Sequence, residues 1–170
     1  MASLSGTLLS LIDYDAWATA RVIDAAARLS PARLDEPSAN PDWTVRAGLA
    51  HVLDASAYWL GQMERRRAPD IDGAMLPDIE AMHETAGRVS VALRAFVAGL
   101  SADDLAREVM RRPGAPTRNM QEAVTHVLVH SGHHRGELAA LLTTLGASPG
   151  DLDYMDFLRE RDGLPPYAGD

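Results

Sequence analysis

The sequence predicts an all-α protein with four long helices in one domain. Apolar residues recur at three- and four-residue intervals along four long segments, as on the buried face of a helix. Breaks that contain proline separate these segments. Of the 170 residues, 46% are hydrophobic and only 5% aromatic. This composition is typical of a globular, mostly helical chain that can bury a core of its own.

Capping residues and breaks set the predicted boundaries of the helices. Thr44 can cap the second long helix, and Asn119 with Glu122 can cap the fourth, which ends at Gly146. Ser30-Pro31 begins a short turn, Ser101 caps another short helix, and the loops lie at 68–77 and 111–118. The long helices are therefore predicted at about 4–29, 44–66, 78–99 and 119–145, and a last short helix at 152–159.

Composition and charge narrow the class of protein. We predict one domain over residues 1–160 and a loose C-terminal tail over 161–170. The formal charge of −8 argues against nucleic acid or an anionic membrane surface as the partner. The chain has no cysteine and hence no disulfide or thiolate metal site, so any thiol must come from outside. No stretch approaches the roughly 18 apolar residues of a membrane helix, and a cytoplasmic protein is expected.

The chain also contains a weak internal repeat. LSPARLDEP and LSADDLARE share a Leu-Ser-x-x-x-Leu frame, and each precedes a capped helix, TVRAGLAHVL and NMQEAVTHVL respectively. The repeat predicts two helical hairpins with approximate two-fold symmetry. On this reasoning the second and fourth long helices face each other, with His51 and His126 at similar depth.

Four of the six histidines lie within nine positions of the fourth long helix, in HVLVHSGHHRGE. Each residue of an α-helix advances by about 100°, so His126, His130, His133 and His134 fall within a sector of roughly 100°, one helix face. Two pairs have the i, i+4 spacing by which imidazoles on successive turns can hold one ion: His126 with His130, and His130 with His134. The spacing leaves both pairs open.

A third ligand has to come from another element, and His51, in LAHVL on the second helix, is the natural candidate. Three neutral nitrogen ligands with an open position are typical of a catalytic metal site, whereas four protein ligands usually close a structural site. Unpaired imidazoles on an apolar face are costly to bury, and a metal would satisfy them. We therefore interpret the cluster as a metal site, and the solitary His83 as an ordinary solvated side chain.

Three stretches resemble the DinB family, within the wider DinB/YfiT-like group: YDAWATARVIDAA, DWTVRAGLAHVLDASAYWL and HVLVHSGHHRGELAALL. The resemblance spans almost the whole chain, and the last motif is the specific one. It implies a four-helix bundle in up-down-down-up order, with short extra helices in the connections and at the C-terminus. It also implies a metal held inside the bundle by three histidines, which in this sequence are His51, His130 and His134.

The resemblance places other residues beside the metal ligands. His126 and His133 then become neighbours that orient a ligand or line a pocket. Glu137 stands where the family usually has glutamine; an extra carboxylate could change metal preference or act as a base, but we favour a surface pair on the helix. Imidazole ligands suit several metals, of which zinc is our first choice and nickel the second.

Two classes of function follow from these features. The first is a metal-dependent enzyme, a thiol-dependent transferase or a hydrolase, because the group includes enzymes that use low-molecular-weight thiols. Arg135, Arg46 and Arg118 are candidate partners for the carboxylates of such a small-molecule substrate. The second class is a non-catalytic, stress-associated metal-binding bundle. The resemblance further implies a homodimer.

Overall fold

A computed structural model describes residues 4–38, 40, 42–109 and 117–165 of the chain. Its described residues are mostly helical, as predicted. The elements are α1 (Leu4–Ala26), α2 (Val45–Glu64), α3 (Ile79–Ala98), α4 (Ala102–Ala106), β1 (Glu108–Val109), β2 (Arg118–Asn119), α5 (Met120–Thr144) and α6 (Tyr154–Arg161). Two 3-10 turns, Pro31–Asp35 and Gly73–Met75, lie in the connections before and after α2.

The predicted caps of the long helices are confirmed. The Thr44 hydroxyl accepts a hydrogen bond from the backbone N–H of Ala47 at 3.1 Å, at the start of α2. At the start of α5, Asn119 and Glu122 form a reciprocal capping box. These side chains satisfy backbone donors that a helix leaves unpaired in its first turn. They fix where α2 and α5 begin, and therefore which turns carry the histidines.

The ends of the chain differ from the prediction by a few residues. The α1 helix ends at Ala26 rather than near Leu29, and its last turn tightens before Pro31, whose ring disfavours helical backbone in the preceding residue. The α6 helix begins later than predicted because Asp153 caps it, and it continues to Arg161, one residue into the predicted tail. Residues 166–170 of that tail lie outside the described residues.

The short hairpin before α5 was not predicted. Strands β1 and β2 pair in antiparallel fashion, with Glu108 opposite Asn119 and Val109 opposite Arg118. The predicted loop 111–118 is therefore wrong at Arg118, which belongs to β2, whereas 111–116 lie outside the described residues. Two residues per strand are too few for an alternating apolar pattern to be recognised in a sequence.

The four long helices bury two apolar clusters, one at each end of the protein. The first draws on the C-terminal halves of α1 and α5 and on the N-terminal halves of α2 and α3. The second draws on the opposite halves of the same helices. Leu138 of α5 packs in the first cluster close to Gly48 of α2, where a Cβ would lie 2.7 Å from a Leu138 methyl carbon. The small residue thus allows α2 and α5 to approach closely at the level of the histidines.

Helices α2 and α5 contact each other, as the internal repeat predicted. Residue numbers rise along α2 while they fall along α5: His51 lies beside His134, and Trp59 lies beside His126. The expectation that His51 and His126 lie at similar depth is therefore wrong. Within the described residues, no helix is both long enough and apolar enough to cross a membrane.

Candidate metal centre

The three histidines predicted as metal ligands lie together between α2 and α5. Their ring centroids are 4.5 Å apart for His51 and His134, 4.5 Å for His130 and His134, and 5.0 Å for His51 and His130. One nitrogen from each ring lies within 4.8 Å of those of the other two, so the three residues could hold one metal ion.

The spacing of the nitrogens suits a tetrahedral ion. The Nε2 atoms of His51 and His134 are 3.2 Å apart. Two nitrogens bound to one zinc at about 2.0–2.1 Å, at the tetrahedral angle, lie roughly 3.3–3.4 Å apart. The existing separation is therefore close to what zinc requires, and little movement would bring these two ligands into place.

A buried nitrogen without a partner supports the same assignment. The Nε2 atom of His130 is buried and has no hydrogen-bond partner among the described residues. A buried polar atom that stays unpaired costs about 1–3 kcal/mol. A cation shared with His51 and His134 would satisfy it, because neutral imidazole nitrogen is a good metal ligand.

Burial and the neighbouring imidazoles favour the neutral form of two of these rings, those of His51 and His130, and a metal needs that form. Burial, followed by the neighbouring His134, lowers the pKa of His130 from 6.5 to about 4. The pKa of His51 is lowered mainly by burial and next by His134, whereas Asp54 and Glu137 oppose the shift. Because protons compete with metals for the same lone pairs, lowered pKa values favour metal binding near neutral pH.

Glu137 contacts one of the candidate ligands from the side away from the other two. Its Oε2 atom lies 2.7 Å from His134 Nδ1, and its Oε1 atom lies 3.4 Å from His133 Nε2. The hydrogen bond from His134 lowers the pKa of Glu137. A carboxylate that accepts the Nδ1 proton leaves the Nε2 lone pair of the same ring available to a metal. The expected surface pair on the helix is present, but it also orients a candidate ligand.

A second group of possible metal ligands also includes His134. His133, His134 and Glu137 also place one ligand atom each within 4.8 Å of one another. They lie at the outer face of α5, and the side chain of His133 is 66% exposed. The hydrogen bond between His134 Nδ1 and Glu137 accounts for their proximity. The group of His51, His130 and His134 joins two helices and has two half-buried members, against one in the second group, so it is the better candidate for the metal.

His126 lies one turn outside the three-histidine group. Its ring stacks on His130 at 5.6 Å and packs against Trp59 at 5.0 Å. It lines a cavity that also borders His51 and His130. Of the two histidine pairs that spacing left open, the one that meets His51 is His130 with His134.

Arg135 lies away from the histidines, in the interior between α5 and α1. Its guanidinium forms an ion pair with Asp15 and donates to the Ser131 hydroxyl at 2.7 Å. Its side chain is only 4% exposed. Arg46 is also engaged, by Asp35 and by a backbone carbonyl. Neither of these two arginines is therefore placed to act as a substrate clamp at the metal centre.

Sequence reasoning missed the aromatic and acidic neighbours on α2. The ring of Trp43, just before α2, packs 5.7 Å from His51 and 5.2 Å from His134. Asp54 and Tyr58 lie three and seven residues beyond His51, the helical spacing of one face, and both line the adjoining cavity. That spacing is the signal that could have found them. His83 is remote from the site and pairs with Asp24 on α1 at 3.0 Å.

The family model of DinB matches residues 4–164, nearly the whole chain. The protein belongs to the DinB family. Among curated proteins, none matches this DinB chain in sequence. The geometry identifies His51, His130 and His134 as residues of this DinB protein that could hold a metal.

Proposed function

We propose that His51, His130 and His134 chelate a divalent metal, and that this DinB protein is a metal-dependent enzyme. The observation that carries the proposal is the convergence of three imidazoles, one with a buried Nε2 atom that has no partner among the described residues. Zinc is the first choice, since the 3.2 Å separation of two Nε2 atoms suits its tetrahedral geometry, and nickel is the second.

The proposed architecture is a four-helix bundle in up-down-down-up order. Supporting contacts come from α1 and α3, where Asp13 pairs with Arg94 and Asp24 with His83, so that residue numbers rise in one helix and fall in the other. The same relation holds for α2 and α5. In each apolar cluster α1 and α5 contribute the same half of the helix, N-terminal or C-terminal, and α2 and α3 also contribute the same half as each other. Each of these two pairs therefore runs in the same direction. In this arrangement the metal lies between the second and fourth helices of the bundle.

The proposed reaction is transfer to or from a low-molecular-weight thiol, or a hydrolysis. A divalent metal with an open position lowers the pKa of a bound thiol or water towards neutrality. The protein's own contribution is to hold the ligands: Glu137 fixes the proton of His134 on Nδ1, and Trp43 packs against the rings of His51 and His134. The cavity beside His51 and His130 would admit the substrate. Homodimerisation and a cytoplasmic location stay predictions.

Elemental analysis of purified protein tests the ligand set. We expect about one metal per chain in the wild type, and loss of that metal in His134→Ala. The matched control is His126→Ala, which removes a histidine of the same helix face and should keep the metal. Stoichiometric metal in His134→Ala, or its loss in His126→Ala alone, would exclude the proposed set.

A cobalt-substituted sample separates the enzyme from a non-catalytic metal-binding protein. Cobalt reports its ligands through its visible spectrum, and an exchangeable position should respond to added thiol. A spectrum that stays unchanged at saturating thiol would indicate a closed site and favour the non-catalytic, stress-associated alternative.

A further inference from the structure

The cavity next to the candidate metal centre carries information about the substrate. It has a volume of about 260 Å³ and lies between α2 and α5. Two of the candidate metal ligands, His51 and His130, form part of its wall, so it opens onto the metal centre. The lining residues are His51, Asp54, Ala55, Tyr58, Trp59, His126 and His130.

Asp54 is the one lining residue of this cavity with a formal charge, among the part of the chain that the structure describes. Its Oδ1 atom accepts the backbone N–H of Ile71 at 2.8 Å, which fixes the carboxylate on α2 against the following loop. Its charge reaches the metal centre, because Asp54 acts to raise the pKa of His51 against the stronger effect of burial. The cavity therefore presents a fixed negative charge within reach of the metal site.

No arginine lines the described wall of this cavity, and the sequence contains no lysine. The three arginines considered for substrate carboxylates are engaged elsewhere: Arg135 by Asp15, Arg46 by Asp35, and Arg118 by the carbonyl of Thr117. An anionic substituent beside Asp54 would meet that carboxylate with no cationic side chain on the described wall to offset it. The charge of the wall opposes a carboxylate-bearing thiol.

The rest of the wall suits a cation with an apolar surface. Trp59 and Tyr58 form an edge-to-face pair at 6.2 Å, and the His126 ring packs on Trp59. Aromatic rings attract ammonium groups through their quadrupole and accept their methyl or methylene carbons as apolar contacts. An aromatic wall beside a carboxylate is a combination that recognises a substituted ammonium group.

We propose that the substrate carries a positive charge, a protonated or alkylated amine, a few atoms from the group that meets the metal, with Asp54 as its counter-ion. This inference rests on the proposed function, since the donor end of the substrate must reach the three-histidine metal centre. Asp54 acts as a specificity-determining residue and is not itself a metal ligand.

Three thiols with the same two-carbon spacer test the charge preference on cobalt-substituted protein. Thiocholine carries a permanent positive charge and cannot chelate through nitrogen. 3,3-Dimethylbutanethiol is its neutral isostere, and 3-mercaptopropionate is anionic. Each thiol is titrated into wild type and Asp54→Asn, and the dissociation constant is read from the cobalt spectrum. Because each thiol is compared with itself, differences in thiol acidity cancel.

Asparagine at position 54 keeps an oxygen that can accept the Ile71 N–H, so the loop stays held. We expect Asp54→Asn to weaken the binding of thiocholine about fivefold, the upper range for a partly exposed ion pair. The same substitution should leave the affinity for the neutral isostere unchanged and should increase the affinity for 3-mercaptopropionate. Glu80→Gln, which removes an equal charge from an exposed position on α3, should alter none of the three.

The outcomes separate this inference from the proposed function. Equal effects of Asp54→Asn on all three thiols, or no effect on any, would overturn the role of Asp54 and leave the metal site standing. A cobalt spectrum that none of the thiols perturbs would overturn the thiol chemistry, and the substrate class with it. Failure of cobalt to bind in wild-type protein would overturn the metal centre itself.

Discussion

Replacing Glu137 by alanine should weaken zinc binding without unfolding the protein. Glu137 is not one of the three converging ligands; it acts through His134, whose Nδ1 lies 2.7 Å from its carboxylate. Without this acceptor the His134 ring can rotate or place its proton on Nε2, the atom that faces His51. The free energy of metal binding then includes the cost of restoring the ring and its tautomer.

The expected loss is 10- to 100-fold in affinity, the usual effect of removing a carboxylate or carbonyl behind a metal-bound histidine. This corresponds to about 1.4–2.7 kcal/mol, since each tenfold change is about 1.4 kcal/mol. Glu137→Gln keeps an oxygen acceptor but removes the charge. A charge-assisted hydrogen bond is roughly twice as strong as a neutral one, so glutamine should lose about half of that free energy, or roughly 3- to 10-fold in affinity.

Competition with a chromophoric chelator measures these affinities. Thermal unfolding of the metal-free variants provides the folding control, because the Glu137 side chain lies at the surface, 44% exposed, and its removal should change the melting temperature little. His133→Ala is the matched control: it removes the other histidine beside Glu137 and should leave the affinity within about twofold of wild type, as for an exposed pair. Equal affinity in wild type, Glu137→Ala and Glu137→Gln would refute the orienting role of Glu137.

Four further predictions concern stability. Gly48→Ala should destabilise the metal-free protein by about 1–2 kcal/mol, because the new methyl meets Leu138 at 2.7 Å and the strain outweighs the gain in helix propensity. Gly87→Ala, where a Cβ meets nothing within 4 Å, should stabilise it by about 0.5–1 kcal/mol, and chemical denaturation measures both. Arg135→Met removes the ion-pair partner of the Asp15 carboxylate, whose side chain is only 13% exposed. The free energy of unfolding should fall by about 3–5 kcal/mol, which lowers the melting temperature by roughly 6–20 °C. The metal-free protein should lose stability as pH falls from 6.5 towards about 4, because His130 binds a proton readily only in the unfolded chain over that window.

Each of these predictions has an outcome that contradicts it. Equal shifts for the two glycine variants would mean that α2 and α5 do not approach closely at Gly48. Asp15→Leu combined with Arg135→Met should recover most of the lost stability, and a double variant as unstable as the single one would contradict the ion-pair argument. For the pH dependence, a His130→Gln variant with the same slope of melting temperature between pH 6.5 and 4 would assign the effect to other groups.

The sequence predicted the helices well where local chemistry sets them. Thr44 and Asn119 cap α2 and α5 as expected, because an N-cap is a local hydrogen bond between residues two or three apart. The hairpin of β1 and β2 was missed, since it is too short for any periodic signal. The depth of His51 relative to His126 was predicted wrongly. The repeat places both histidines near the start of their helices, but α2 and α5 are antiparallel, so these starts lie at opposite ends of the helix pair.

At the candidate site, too, the sequence predicts what depends on neighbouring residues of one helix, but not what depends on the packing of two helices. The i, i+4 spacing places His126, His130 and His134 on one face of α5, but it cannot select the pair that meets His51. Tertiary packing makes that choice: close approach at Gly48 brings His51 to the turn that carries His134, and Trp59 occupies the space beside His126. The role of Arg135 was equally hidden, since its carboxylate partner lies 120 residues earlier in the chain.

Packing also explains why the three imidazoles form a prepared site. Burial, followed by the neighbouring histidines, lowers the pKa of His130 to about 4, so near neutral pH its ring is neutral and keeps a lone pair free for a metal. Glu137 balances part of the charge that a divalent ion would bring, from a position behind His134 rather than in the coordination shell. The open side faces a cavity whose charge comes from Asp54. On the proposed function, a substrate would meet a metal cation at one end of the cavity and the Asp54 carboxylate on its wall, and it would have to match both to bind.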